Sequence, residues 1–102
     1  MRVNWSGLAR DDLDDLRQYI SRDSAFYAQA FIERILAATR YLQDFPLGGR
    51  KVPEVDDEAI REIIVQGYRV IYRVEASFVL VLAVMHGSRD LTKAGTQPWE
   101  VG

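Results

Sequence analysis

Apolar and polar residues alternate most regularly between residues 60 and 91, where the pattern predicts three consecutive strands. The strands are Ile60 to Val65, Tyr68 to Val74 and Phe78 to Met85. They are rich in β-branched and aromatic residues, which favour extended structure. Gln66-Gly67 separates the first two as a hairpin turn in which glycine supplies a positive φ, and Glu75-Ala76-Ser77 separates the last two. Turns this short predict antiparallel pairing.

The residues before this sheet predict one short strand and two helices. Arg2 to Ser6 alternates weakly, which is typical of a short strand. An apolar stripe predicts a helix from Leu8 to about Ser21. After a cap at Asp23 or Ser24, a second helix is predicted from Ala25 to Phe45. Its apolar seam consists of Phe31, Ile35, Ala38, Leu42 and Phe45. Two helices joined so closely form an antiparallel hairpin.

The predicted order β-α-α-β-β-β is that of an α+β fold, with a helical hairpin packed on one face of an antiparallel sheet. The chain has 102 residues, and we expect a single domain over residues 1–91. Pro46 ends the second helix and begins an irregular segment that extends to Ala59. Residues 92–102 are polar apart from Trp99, which predicts a loosely held C-terminal tail.

Composition argues against several kinds of site. The chain has no cysteine and one histidine, so we expect no metal ion and no cofactor. A formal net charge of −2 and a pI of about 5.3 argue against broad affinity for phosphate backbones, so we expect no direct binding of nucleic acid by the isolated protein. No apolar run has the length of a signal peptide core or a membrane span, which predicts a cytoplasmic protein without membrane contact.

Two groups of residues on the predicted helices invite a functional interpretation. They are the acids Asp11, Asp12, Asp14 and Asp15, and the aromatics Phe26, Tyr27 and Phe31. Clustered acids sometimes bind metal, but consecutive residues point in different directions around a helix. We expect these carboxylates to interact with the positive end of the helix dipole instead. The aromatic spacing favours core packing over a ligand pocket.

Strand geometry divides the predicted sheet into two faces. The helix-covered face carries Tyr68, Val70, Tyr72 and Val74. A tight turn pairs Val65 with Tyr68 and thereby fixes the register of the neighbouring strand. The far face then carries Ile60, Glu62, Ile64, Arg69, Ile71 and Arg73. Because the helices cover only one face, we expect the far face to be exposed unless the C-terminal tail or a partner protein occupies it.

The charged residues of the sheet have structural and functional interpretations. Glu62 is close enough to Arg69 or Arg73 for a cross-strand ion pair, and we weigh this role evenly with a binding role for the arginines. Arg61 is expected on the helix-covered face, near one end of the sheet. His86, after the last strand, is a candidate general acid or base, although a hydrogen-bonded edge residue is the commoner case.

A series of short motifs runs along nearly the whole chain. They are Trp5-Ser6, Ala9, Asp12-Leu13, Tyr19-Ile20, Phe45-Pro46, Gly49-Arg50, Val52-Pro53-Glu54, Tyr68 to Val74 and His86 to Leu91. In this order and at this length, they resemble the RelE/ParE superfamily of toxins from type II toxin–antitoxin systems. The resemblance implies the fold predicted above. It also implies a cognate antitoxin, encoded by an adjacent gene, that binds and neutralises the protein.

The superfamily divides by target. RelE-like members cleave mRNA on the ribosome, and ParE-like members inhibit DNA gyrase. Resemblance to the nuclease pattern places Arg69 and Arg89 at its arginine positions, and His86 completes this alternative catalytic set. Glu54 and His86 resemble a glutamate and histidine that serve in some nuclease members, but the tyrosine that follows them is missing.

Two further departures from the nuclease pattern favour the ParE-like branch. Ile60 and Glu62 stand where the pattern has lysines, and Gly95 lies near the position of its tyrosine. The resemblance therefore implies a gyrase inhibitor without a hydrolytic site. We expect the antitoxin to contact the far face through Ile60, Ile64, Arg69, Ile71 and Arg73. We expect target contacts from Arg50, Arg61, His86 and Arg89.

Overall fold

The computed structural model describes residues 1–93 and 95–101. The strands are β1 (Arg2–Trp5), β2 (Arg50–Lys51), β3 (Ile60–Val65), β4 (Tyr68–Val74) and β5 (Phe78–His86). The helices are α1 (Gly7–Ser21), α2 (Ala25–Asp44) and α3 (Pro98–Val101), and a 3₁₀ turn spans Leu91–Lys93. The predicted fold, a helical hairpin against a mostly antiparallel sheet in the order β-α-α-β-β-β, is confirmed. The structure adds the two-residue strand β2 to that order.

The five strands lie in the order β1-β5-β4-β3-β2. The pairs β2–β3, β3–β4 and β4–β5 are antiparallel, whereas β1 lies parallel to β5. The sequence pattern predicted only antiparallel pairing. It missed the parallel pair because both helices and three strands lie between β1 and β5, so no short turn fixes their relative direction.

Serine caps begin both long helices. The Oγ of Ser6 accepts a hydrogen bond from the Ala9 amide at 3.1 Å, and the Oγ of Ser24 accepts one from the Tyr27 amide at 3.2 Å. The helix α2 ends one residue before Phe45, which precedes proline. The hairpin buries Ala9, Phe31, Ile32 and Ile35 against Val70, Val81 and Val84 of the sheet.

The register of the β3–β4 hairpin is as predicted. Val65 pairs with Tyr68, and Arg61 pairs with Tyr72. Gln66 and Gly67 have φ values of 53° and 81°, the left-handed geometry that matches the twist of a two-residue hairpin. The two faces of the sheet therefore carry the predicted residues. The β4–β5 pair has a bulge between Ile71 and Tyr72.

The far face was predicted to be exposed unless the C-terminal tail or a partner protein occupied it, and the C-terminal segment occupies its centre. Ile60 is 2% exposed and Ile71 is fully buried. They pack with Val52 from the 46–59 segment and with Leu91, while Trp99 packs against the same cluster. The C-terminal segment returns across the sheet and supplies the apolar side chains that this face needs. It is thus more ordered around Trp99 than predicted, and residues 94 and 102 of the predicted tail lie outside the described residues.

The sequence pattern also gave wrong predictions for the structure of the 46–59 segment and for the burial of several aromatic residues. The segment was predicted to be irregular, but Arg50–Lys51 pairs with β3 over a length too short to show periodicity. Phe26 and Tyr27 were predicted in the core and are 77% and 68% exposed, and Phe45 is 56% exposed. Phe26 lies off the buried stripe of α2, and Phe45 lies beyond its last residue.

Within the described residues, no helix combines the length and apolar character needed to cross a membrane.

Candidate functional site

A group of charged side chains, here called the Arg69 cluster, consists of the buried Arg69 and Glu62, the partly buried Glu54 and the exposed Arg50. Arg69 is 3% exposed on the far face of β4. Its Nε donates to Glu62 Oε1 at 2.6 Å, and its two terminal nitrogens donate to the two Glu54 oxygens at 2.7 Å. Arg50 Nε donates to the other Glu62 oxygen at 2.7 Å. Two carboxylates thus alternate with two guanidinium groups.

The Arg69 cluster also anchors the chain that follows β5. Arg69 Nη1 donates to the Arg89 carbonyl at 2.9 Å, and the Leu91 amide donates to Glu54 Oε2 at 3.1 Å. Four hydrogen bonds therefore use the donors of Arg69, all of them to groups of its own chain. Since a guanidinium has five N–H donors, little remains for a substrate. The cluster ties the 46–59 segment and the post-β5 segment to the sheet.

The ionisation of the Arg69 cluster follows from these contacts. Hydrogen bonds from Arg69 are the main cause that lowers the pKa of Glu54 from 4.5 to about 2. The bonds to Glu54 in turn raise the pKa of Arg69. Both groups stay charged at neutral pH. A cation already balanced by two carboxylates is poorly suited to binding a phosphate group.

The residues predicted to bind an antitoxin have unequal exposure. Glu62 pairs with Arg69, one of the two partners considered for it, whereas Arg73 pairs with Glu75 and donates to the Trp99 carbonyl at 3.3 Å. Ile64 is 51% exposed. The rest of the set, Ile60, Arg69 and Ile71, is covered by the protein's own chain. An antitoxin role for these residues stays a prediction.

The basic residues predicted to contact a target do not all lie together. The side chain of Arg50 is 63% exposed, and Arg61 beside it donates to the Gly49 carbonyl at 3.0 Å. His86 lies opposite the first residue of β4, whereas Arg61 lies opposite the fifth. Four residues of strand span roughly 13 Å. Arg61 and His86 therefore lie apart, whereas Arg69 links the other two residues, because it binds the Arg89 carbonyl and also Glu62, the partner of Arg50.

His86 has a local structural environment. Its Nδ1 lies 2.6 Å from Ser88 Oγ and accepts the Ser88 amide at 3.2 Å. Its ring packs edge-on against Tyr68 with centroids 5.5 Å apart. Among the described residues no carboxylate is hydrogen-bonded to His86, and no group of three metal-ligating side chains converges. This is the geometry of a hydrogen-bonded residue at the end of β5, with Ser88 as its side-chain partner.

Sequence reasoning missed one acidic residue that shapes the sheet edge. The carboxylate of Asp12 accepts the Val84 amide of β5 at 2.9 Å. Burial is the main cause that raises the pKa of Asp12. The acids of α1 were expected in its early turns; α1 begins at Gly7, its first turn holds no acid, and the acids begin with Asp11. No local pattern identifies Asp12, because its partner lies 72 residues away.

Comparison with known proteins identifies the family. Residues 3–91 match the family described as ParE toxin of type II toxin-antitoxin system, parDE. The chain belongs to the ParE toxin family. None of the curated protein sequences compared with this ParE-family chain matches it significantly.

Two solved structures are similar to this ParE-family protein. A chain of the chromosomal ParDE system from P. aeruginosa has a TM-score of 0.70 at 19% identity, covering 84% of this chain and 95% of that one. A chain of the toxin–antitoxin complex RelBE2 from Mycobacterium tuberculosis has a TM-score of 0.57 at 25% identity, covering 83% and 88%. The similarity at 19% identity shows the fold alone.

Proposed function

We propose that this ParE-family toxin inhibits DNA gyrase, has no hydrolytic site of its own and is neutralised by a cognate antitoxin. The observation that carries the proposal is the occupancy of Arg69. The alternative nuclease interpretation places this arginine in the catalytic set, but here its donors bind Glu54, Glu62 and the Arg89 carbonyl. If Arg69 bound a phosphate instead, the carboxylates of Glu54 and Glu62 would remain in buried or half-buried positions without their cation.

The positions of the two nuclease lysines support the same conclusion. Ile60 and Glu62 occupy them, and both side chains are buried, at 2% and 1% exposure. Neither side chain reaches solvent where it could activate a ribose hydroxyl. Glu54 cannot act as a base near neutral pH, because a carboxylate with a pKa of about 2 binds protons very weakly.

Exposed aromatics support binding to a partner protein. Tyr19, Phe26 and Tyr27 are 63%, 77% and 68% exposed around the α1–α2 turn, and Ile64 is 51% exposed. Exposed apolar patches of this kind mark protein interaction sites. The two similar solved structures come from a ParDE system and a RelBE2 toxin–antitoxin complex. We therefore include a cognate antitoxin in the proposal.

Expression of the chain alone in bacteria tests the proposal. We expect growth arrest with filamentation and induction of the DNA-damage response, while protein synthesis continues during the first minutes. Co-expression of the small protein encoded next to it is the control and restores growth. Immediate arrest of translation without DNA damage contradicts the gyrase proposal.

The alternative function is ribosome-dependent cleavage of mRNA by a RelE-like mechanism. The similarity to a chain of the RelBE2 complex favours it, as do the exposed side chains of His86 and Arg89. In this case His86→Ala and Arg89→Ala abolish mRNA cleavage in a purified translation system. If the purified wild-type protein leaves ribosome-bound mRNA intact, this alternative is excluded.

A further inference from the structure

Five large apolar side chains are exposed on α2 or directly after it. Phe26 and Tyr27 are 77% and 68% exposed at the start of the helix, and Tyr41, Phe45 and Leu47 are 47%, 56% and 60% exposed at its end. These residues and the helix side between them are here called the outer α2 surface. We propose that this surface binds the same surface of a second copy of the chain, with the two α2 helices antiparallel. The inference does not depend on the target of the toxin.

The outer α2 surface is distinct from the side of α2 that packs on the sheet. With 100° of rotation per residue, Tyr27, Ala30, Ala37 and Tyr41 fall within an arc of about 80°. The centre of this arc lies about 130° around the helix from the centre of the buried stripe. That stripe consists of Ala28, Phe31, Ile32, Ile35, Thr39 and Leu42. The helix thus has a second, outward-facing side that carries apolar residues.

The aromatic residues form one pair at each end of α2. Phe26 and Tyr27 pack edge-on with ring centroids 5.7 Å apart, and Tyr41 and Phe45 stack at 4.9 Å. Tyr27 and Tyr41 are separated by about 21 Å along the helix axis. A twofold axis midway between them brings the first pair of one copy against the second pair of the other. A twofold interface requires a surface that complements itself in this way.

The charges at the middle of α2 favour the antiparallel orientation. Glu33 and Arg34 are both exposed and lie midway between Tyr27 and Tyr41. In the antiparallel arrangement, Glu33 of each copy meets Arg34 of the other, whereas a parallel arrangement brings like charges together. Exposed ion pairs add little affinity, but like charges in contact are unfavourable and so select the orientation.

Ala30 and Ala37 allow the two helices to approach closely. They lie between the aromatic pairs, and Ala37 is exposed. The same twofold axis places Ala30 of one copy opposite Ala37 of the other. Small side chains at such contacts permit an interaxial distance of about 8 Å. At this distance the rings at both ends also come into contact.

The exposed aromatic area is of the size that a dimer interface needs. An aromatic residue offers roughly 150–250 Å², so the exposed fractions of Phe26, Tyr27, Tyr41 and Phe45 give about 500 Å² per copy. A standard interface buries about 800 Å² per partner, and Leu47 with the polar residues around it supplies much of the remainder. Because this interface is at the small end of the standard range, we expect a dissociation constant of about 1–30 µM.

Sedimentation equilibrium of the full-length protein from about 1 to 200 µM tests the proposal. We expect a reversible change from monomer to dimer across this range. Ala37→Glu is expected to raise the dissociation constant at least about tenfold, because it buries an unpaired carboxylate at the closest contact. Gln18→Glu adds the same charge to an exposed position of α1 and is expected to leave the dissociation constant unchanged. Thermal unfolding verifies that both variants are folded.

Cysteine cross-linking tests the orientation of the helices. The chain has no cysteine, so the double variant Ala30→Cys, Ala37→Cys introduces the only thiols. The two positions are about 10.5 Å apart within one helix, which is too far for an intrachain disulfide. In a glutathione redox buffer, the double variant is expected to form covalent dimers at least about tenfold faster than either single variant. In a parallel dimer, identical positions meet, and the single variants cross-link as fast as the double variant.

A dimer that Ala37→Glu weakens and Gln18→Glu does not, together with the expected cross-linking pattern, supports the proposal. A monomer at 200 µM overturns it, and so does a dimer that both substitutions affect equally. The outer α2 surface shares Phe26 and Tyr27 with the aromatics assigned above to antitoxin binding. If the wild type stays monomeric and the small protein encoded next to it protects the thiol of Ala37→Cys from alkylation, the surface binds the antitoxin and the proposal is overturned.

Discussion

Replacement of Arg69 by methionine tests how much the buried cluster contributes to stability. Methionine keeps an unbranched chain but removes the cation from Glu62, whose side chain is fully buried, and from Glu54, which is 11% exposed. Removing one partner of a buried ion pair costs about 3–5 kcal/mol. Domains of this size have unfolding free energies of about 5–15 kcal/mol. Arg69→Met is therefore expected to remove a large part of the total.

Arg50→Met is the matched control for this experiment. It removes another arginine from the same Glu62 carboxylate, but the side chain of Arg50 is 63% exposed. Exposed pairs contribute about 0–1 kcal/mol. Urea unfolding followed by circular dichroism measures both variants. With an m-value of about 2 kcal/mol/M, the midpoint falls by about 1.5–2.5 M for Arg69→Met and by at most about 0.5 M for Arg50→Met.

A double variant distinguishes the loss of the ion-pair attraction from the cost of leaving a buried carboxylate without a partner. Arg69→Met combined with Glu62→Leu removes the fully buried carboxylate that the single variant leaves unpaired. We expect the double variant to regain part of the lost stability. Equal midpoints for Arg69→Met and Arg50→Met would refute the argument that burial determines the contribution of each arginine.

Three other predictions follow from single contacts. Gly49→Ala is expected to lower stability by about 1–3 kcal/mol in urea unfolding, because a Cβ would lie 2.5 Å from the Glu62 carbonyl oxygen. Gly7→Ala, where a Cβ meets nothing within 4 Å, is its control and is neutral or stabilising. The pKa of Glu54 falls from 4.5 to about 2 on folding. Its contribution to the free energy of unfolding is therefore complete above about pH 5.5 and declines as the pH falls towards 2. In acid denaturation, the stability of Glu54→Gln is therefore expected to lack this decline. A variant whose stability depends on pH as that of the wild type does contradicts the prediction. Asp12→Ala is expected to speed hydrogen exchange at the Val84 amide, which loses its acceptor, and an unchanged exchange rate contradicts that role.

The parts of the fold that the sequence predicted are those governed by local geometry. Strand alternation and the Gln66-Gly67 turn fixed which residues of β3 and β4 share a face. Apolar spacing located both helices to within a residue or two. These features depend on neighbours along the chain, where period and turn length are sufficient.

The features that the sequence missed depend on distant contacts. Glu54 and Arg69 are 15 residues apart, and Asp12 and Val84 are 72 apart. The sequence left two occupants open for the far face, the C-terminal tail or a partner protein, because nothing local indicates that Leu91 and Trp99 return to cover it. The sequence predicted the ion pair of Glu62 with Arg69 as one of two alternatives, whereas the bonds from Arg69 to Glu54 and to the Arg89 carbonyl, on which the proposed function rests, required the structure.

Incubation of the purified protein with DNA gyrase, supercoiled plasmid and ATP tests the central claim most directly. A parallel reaction contains ribosomes translating a defined mRNA. The account predicts gyrase-dependent linear DNA in the first reaction and intact mRNA in the second. Ribosome-dependent cleavage of the mRNA, with gyrase unaffected, would contradict it.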